Sequence, residues 1–157
     1  MNLRLRQGTR EDAAACGVID FEAFKSISSQ HNFPWDFPSV EVATGLTTAM
    51  LSNPGFYAVV AELDGKIVGS NFLDERNPIA GIGPISVDPA VQNQTIGRQL
   101  MRAVMERSAQ RGFAGCRLHR YRVLRACGRR NHTGHRSAYR GGNGDWRRRL
   151  STADPER

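Results

Sequence analysis

Residues 56–63 and 66–73 are two runs rich in β-branched, aromatic and small apolar residues, separated only by Asp64-Gly65. Asp-Gly between such runs predicts a β-hairpin, because a type I′ turn needs positive φ at both central residues. The hairpin is the strongest local signal in the chain, and the other elements are placed around it.

Before it, Leu3 and Leu5 alternate with Arg4 and Arg6 and predict a short first strand. Thr9 and Asp12 have capping-box spacing, and Ala13, Cys16, Ile19, Ala23 and Phe24 follow at helical intervals, predicting a helix that ends near Ser26. Ser39 is placed to cap a second helix, with Val42, Leu46, Ala49 and Met50 on one face and Asn53-Pro54-Gly55 stopping it. After the hairpin, Ile82, Ile85 and Val87 mark a strand whose start is disturbed by Gly81, Gly83 and Pro84, which predicts a bulge or an edge. Residues 95–111 read as a third helix with Ile96, Leu100, Ala103, Val104 and Arg107 on its inner stripe, ended by Gly112, and residues 113–118 as a last strand. The expected order is β-α-α-β-β-β-α-β. The fold class is α+β (mixed α/β), with a central, mostly antiparallel sheet flanked by helices.

Charge divides the chain. Residues 1–117 hold 11 Lys/Arg and 12 Asp/Glu, whereas residues 118–157 hold 11 Arg, no Lys and 3 acids. The whole excess of +7 therefore comes from the last forty residues, and the two parts are read as separate units, 1–117 and 118–157. Hydrophobic residues at 39% and charged residues at 24% exclude a fully disordered chain. No run of about 18 apolar residues is present to span a membrane, and residues 1–10 lack the apolar stretch of a secretory signal. Cys16, Cys116 and Cys127 are odd in number and widely spaced, which reads as free thiols in a cytoplasmic protein.

Residues 87–101 carry the chemistry. They join a strand end to a helix start, where first-turn N–H groups have no internal partner and the helix dipole is positive. Gly97 permits close approach and Arg98 adds a cation, so the turn suits a phosphate, although a plain strand-to-helix turn reads the same way. The stretch resembles the signature of the GNAT superfamily of acyl-CoA-dependent N-acyltransferases: a strand ending V-x-P, then [Q/R]-x-x-G-x-[G/A] opening a helix. Val87, Pro89, Gln92, Gly97, Arg98, Leu100 and Met101 stand where that pattern expects them, and the hairpin at 60–70 is similar to the family's second and third strands. The resemblance covers about residues 2–117.

The resemblance implies an N-acetyltransferase using acetyl-CoA as co-substrate and a small-molecule or protein amine as acceptor. Gln92, Asn93, Gln94, Thr95, Ile96, Gly97 and Arg98 would surround the CoA pyrophosphate. The strand around Ile85 and Val87 would pair with the pantetheine arm, and a main-chain N–H near one of them would polarise the thioester carbonyl. Transfer would be direct attack by the amine, with positioning as the enzyme's main contribution. One departure lies within the motif: Thr95 replaces its first glycine and puts a branched side chain where backbone approaches phosphate.

Glu22, His31, Asp36, Glu62, Asp74 and Glu75 are candidate bases, each equally well read as a surface charge. Phe33, Trp35 and Phe37 suit either an acceptor site or the core. The family's usual acid is a tyrosine in a segment N-x-x-A-x-x-x-Y-x-x-x-G-F. That segment is missing, neither Tyr121 nor Tyr139 has its context, and no catalytic residue is carried over.

Residues 118–157 show no sustained period. Three readings fit them: an altered reading frame near codon 118, an Arg-rich tail that binds nucleic acid or another polyanion, and metal binding through Cys116, His119, Cys127, His132 and His135. The last spacing matches no standard zinc finger, so no metal is expected. The sequence leaves oligomeric state open.

Overall fold

A computed structural model describes residues 2–92 and 94–118. The expectations for Asn93, for Tyr121 and Tyr139, for the metal-ligand pattern beyond Cys116 and for the Arg-rich tail lie outside the described residues. No helix among the described residues is long and apolar enough to cross a membrane.

The element order matches the expectation: β1 (Leu3–Gln7), α1 (Ala13–Gln30), α2 (Val40–Leu51), β2 (Phe56–Leu63), β3 (Lys66–Asp74), β4 (Ile79–Val87), α3 (Ile96–Arg111) and β5 (Gly115–Leu118). Two single turns of 3₁₀ helix, Arg10–Asp12 and Pro89–Val91, lead into α1 and out of β4. The strands form one sheet in the order β1-β2-β3-β4-β5. Neighbours are antiparallel except β4 and β5, which run parallel and are joined through α3. The β2–β3 turn has positive φ at both Asp64 (49°) and Gly65 (82°), as its sequence requires.

Helices cover both faces. α3 lies on one, where Ile96, Leu100 and Val104 meet Val59, Ala61, Leu73 and Ile82. Its fourth inward position is Ser108, while Arg107 is half-exposed and ion-paired to Glu75, with Nε to Oε1 at 2.7 Å. α1 and α2 cover the other face, with Met50 against Ala58 and Phe72, and Phe21 against Phe37 and Ala43. Gly17 brings these helices together: a Cβ there would lie 2.5 Å from Thr44 Cα and 2.8 Å from Thr44 N.

Two local expectations are corrected, and a third is borne out. α1 continues to Gln30 rather than ending near Ser26, because no Gly or Pro interrupts it. The inner face of α2 is Ala43, Thr47 and Met50 with Leu46 half-buried, rather than the Val42 and Ala49 stripe. Thr47 is tolerated inside because its hydroxyl donates to Ala13 O (2.9 Å). β4 has the irregular start expected of it, and it pairs with β3 on one side and with β5 along Ile79 to Ile82 on the other. Its irregularity is real, since the pairing with β3 shifts register opposite Gly83-Pro84. The shift lets Ala80 and Ile82 before it, and Ile85 and Val87 after it, all join the core beneath α3.

Candidate functional site

The register of β4 determines where its backbone points. Asp88 N–H donates to Val68 O (2.8 Å), and Ser86 is paired with Ser70 two residues earlier along the ladder. In an antiparallel ladder, hydrogen-bonded and non-hydrogen-bonded pairs alternate. Ile85 and Val87, opposite Asn71 and Gly69, are therefore the residues that turn N–H and C=O away from β3. On that outward side, β5 pairs only with Ile79 to Ile82. Among the described residues, β4 from Gly83 onward has no strand on its β5 side, and the amides of Ile85 and Val87 face this open edge.

The edge runs into the turn singled out from sequence. Asp88 Oδ1 accepts from Ala90 N (2.9 Å), with Pro89 opening the 3₁₀ turn, and Gln92 Nε2 donates to Val87 O (3.1 Å). Gln92 thus acts first as a brace, tying the loop to the strand end. Val87, Val91, Gln92, Thr95, Ile96, Gly97 and Arg98 line a depression of about 430 Å³. The first-turn amides of α3, those of Ile96, Gly97 and Arg98, have no partner within the helix by position. Gly97 is half-buried, and a Cβ there would lie 3.6 Å from Val87 Cγ2, so a methyl fits but a larger group would fill the depression. Arg98 is exposed and forms no ion pair among the described residues. The structure thus brings together Val87, Gln92, Thr95, Ile96, Gly97 and Arg98. It sets Ile85 two residues back along the same edge and leaves Gln94 exposed beside the depression.

Thr95 adopts the left-handed conformation (φ 64°, ψ 0°) as the residue before α3. The constraint at this position is therefore one of backbone as well as bulk, because a β-branched residue is disfavoured at positive φ. Its Oγ1 accepts from Gln99 Nε2 (3.3 Å).

The candidate bases named from sequence do not gather here. Glu62 pairs with Arg6 (2.9 Å), Asp74 with Arg76 (2.7 Å) and Glu75 with Arg107, while Glu22, His31 and Asp36 are exposed. Of the loop aromatics, Phe37 is buried, whereas Phe33 and Trp35 are 62% and 50% exposed. A second depression, of about 310 Å³, is lined by residues including Gln7, Asn53, Glu75 and Arg107; it adjoins the start of β2 and the later turns of α3.

One carboxylate was not among the sequence candidates. Asp20 of α1 is fully buried, and Ser86 Oγ of β4 donates to its Oδ1. Burial pushes its pKa up to about 7 against an ordinary 3.8, with the serine hydrogen bond offsetting only part of the effect. The signal was legible: Asp20 falls one turn after Cys16 on the apolar stripe of α1, an inward position for an acid.

The sequence model of the acetyltransferase (GNAT) family matches residues 21–128, which extends beyond the last described residue. A GNAT family acetyltransferase from Brucella melitensis, solved in complex with acetyl-CoA, is 26% identical with a TM-score of 0.58, covering 74% of this chain and 75% of its own. The PaiA N-acetyltransferase from Thermoplasma acidophilum, solved with coenzyme A, is 18% identical with a TM-score of 0.59 (79% and 84% covered). An aminoglycoside acetyltransferase from an uncultured soil metagenomic sample is 20% identical with a TM-score of 0.51 (76% and 80% covered). The last two likenesses are of fold alone. Comparison with curated proteins gives no match.

Proposed function

The chain belongs to the acetyltransferase (GNAT) family, and from that premise we propose that it transfers an acetyl group from acetyl-CoA to a primary amine by direct attack. The observation that carries this reading is the open edge of β4 leading into the amides of α3. An extended arm with alternating amides suits such an edge, and a diphosphate suits the helix start beyond it. Gly97, with room beside Val87 for little more than a methyl group, leaves the backbone approachable.

In this reading the amides of residues 96–98 and the Arg98 guanidinium hold the pyrophosphate, and Gln92 keeps the loop against Val87. The Ile85 or Val87 N–H stabilises negative charge developing on the thioester oxygen, a contribution of the oxyanion-hole kind. The thioester supplies the activated acyl group; the protein holds it and the amine in line. The acceptor is a small-molecule or protein amine. Residues 1–117 carry the binding core, and 118–157 are assigned no part in transfer. Free Cys16 and Cys116 support a cytoplasmic place of work.

The test is calorimetric titration of the full chain with acetyl-CoA, with Gly97→Trp as the blocked control. Thiol release is then followed with three acceptors: tobramycin, spermidine and an alanine-headed peptide. One-site binding lost in the control, with turnover on one acceptor, is expected. No binding by a folded wild type overturns the proposal.

A further inference from the structure

Of the six buried or half-buried carboxylates among the described residues, five have a clear partner or structural role. Asp12 and Glu62 share Arg6, Asp74 pairs with Arg76, Glu75 pairs with Arg107 and Arg111, and Asp88 caps the turn after β4. Asp20 is the exception. It is 0% exposed, and among the described residues no cation pairs with it and its Oδ2 has no hydrogen-bond partner. Its surroundings can be named element by element. Cys16 lies one turn earlier on α1, and the hydroxyls of Ser70 and Ser86, paired across β3 and β4, face the same layer. The one charged residue of α2, Glu41, is exposed. A buried carboxyl so poorly compensated is costly to keep.

Its position gives it a use. Ile85 and Val87 join the core on the α3 side of β4, while Ser86 between them reaches α1. α3 and its phosphate-suited start occupy the first side. On the second side, beneath α1, Ser86 is 4% exposed, and it stands in the chain between the two outward-facing amides that would hold the same carbonyl.

We propose that Asp20 and Ser86 form the proton-accepting pair for the acceptor amine, Ser86 touching the amine and Asp20 acting through it. The inference rests on the acetyltransferase reading above. The amine arrives as an ammonium ion. One proton passes to Ser86 Oγ while the serine's own proton passes to the Asp20 carboxylate, since a hydroxyl both accepts and donates. The nitrogen lone pair then forms the N–C bond, the C–S bond breaks, and the sulfur leaves with its electron pair. The second nitrogen proton goes to that thiolate, and Asp20 releases its proton to water. A carboxyl whose pKa lies near 7 matches this task at neutral pH.

The experiment measures kcat, KM and acetyl-CoA affinity against pH for wild type, Asp20→Asn, Ser86→Ala and Ser86→Thr, using whichever of the three acceptors turns over. Wild-type kcat should fall below about pH 7. Asp20→Asn should lose about 100-fold or more in kcat and lose that acidic limb, with acetyl-CoA affinity unchanged. Ser86→Ala should follow it, and Ser86→Thr, which keeps a hydroxyl, should recover most of the rate. Infrared titration of the free wild type should show a protonated carboxyl near neutral pH that is missing from Asp20→Asn. Wild-type kcat and pH profile in folded Asp20→Asn or Ser86→Ala would overturn the pair. Loss of rate that Ser86→Thr leaves unrestored, with the acidic limb intact, would also overturn it by assigning the residues to structure alone. A wild type that neither binds acetyl-CoA nor turns over takes down the acetyltransferase reading, and this inference with it.

Discussion

Asp12, just before α1, and Asp20, two turns into it, lie close in sequence, both buried, and they are held in opposite ways. Asp12 receives a two-armed Arg6 guanidinium (2.7 and 2.8 Å) and the Thr9 N–H (2.8 Å). The Arg6 hydrogen bond, against a desolvation cost, holds its carboxyl below the usual range. Asp20 has a serine in place of the arginine, and burial drives its pKa the other way. Burial alone therefore does not fix the state of a carboxyl; the partner does. The first region uses charge to join β1 to the start of α1. The second leaves a carboxyl ready to exchange a proton beside the strand with the outward-facing amides.

The largest effect expected from this contrast is on stability against pH. The folded chain keeps the Asp20 proton up to about pH 7, whereas the unfolded chain releases it near 3.8. Its contribution is complete below about pH 4 and lost as pH rises through about 7, a total of up to about 4 kcal/mol. Asp12 has the reverse sign: its contribution is present above the ordinary carboxylate range and lost as pH falls through its lowered pKa. Asp20→Asn should flatten the decline between pH 4 and 8 in urea denaturation. A decline as steep as that of wild type would break the contrast.

Next in size is Arg6→Ala, which leaves Asp12 buried and unpaired and also removes the Glu62 contact. About 3 kcal/mol of destabilisation is expected at pH 7, shrinking in acid as Asp12 protonates. A loss independent of pH would mean that Arg6 acts through its aliphatic packing.

Gly17→Ala should cost about 2 kcal/mol, because the added methyl meets the Thr44 backbone and must part α1 from α2. That movement carries Asp20 away from Ser86, so the pH-dependent step should shrink as well. Thermal melts at pH 5 and 8 read both effects.

The smallest change sharpens the other side of β4. Thr95→Gly removes a branched side chain from positive φ and should stabilise by about 1 kcal/mol while tightening acetyl-CoA binding. Unchanged or weaker affinity in the titration would show that the Thr95 side chain does not hinder the ligand.

Much of this architecture was legible from local chemistry. Asp64-Gly65 dictated a turn and hence a pairing, Ser39 accepts from Val42 N (3.4 Å) as a cap should, and Ile96, Leu100 and Val104 are buried at the spacing that named them. The residues of the 92–98 turn were legible because a helix start is a local feature. The α2 face was misread because Thr47 is polar by composition, yet its hydroxyl is satisfied inside by Thr44 O and Ala43 O of its own helix and by Ala13 O, 34 residues away. Asp20 had a local signal in its inward position on α1, but its partner Ser86 lies 66 residues on and only the fold brings the two together.

By itself, the sequence determined which segments are helix or strand, the hairpin, and the presence of a phosphate-suited turn. These depend on neighbours within a few residues, where backbone conformation and side-chain period act directly. Only the tertiary structure decided that the first half of β4 lies between β3 and β5, that its later half presents outward amides, and that Ser86 meets a carboxyl lacking a cation. Those outcomes depend on register and on which helix covers which face, and both are set by contacts between segments far apart in the chain.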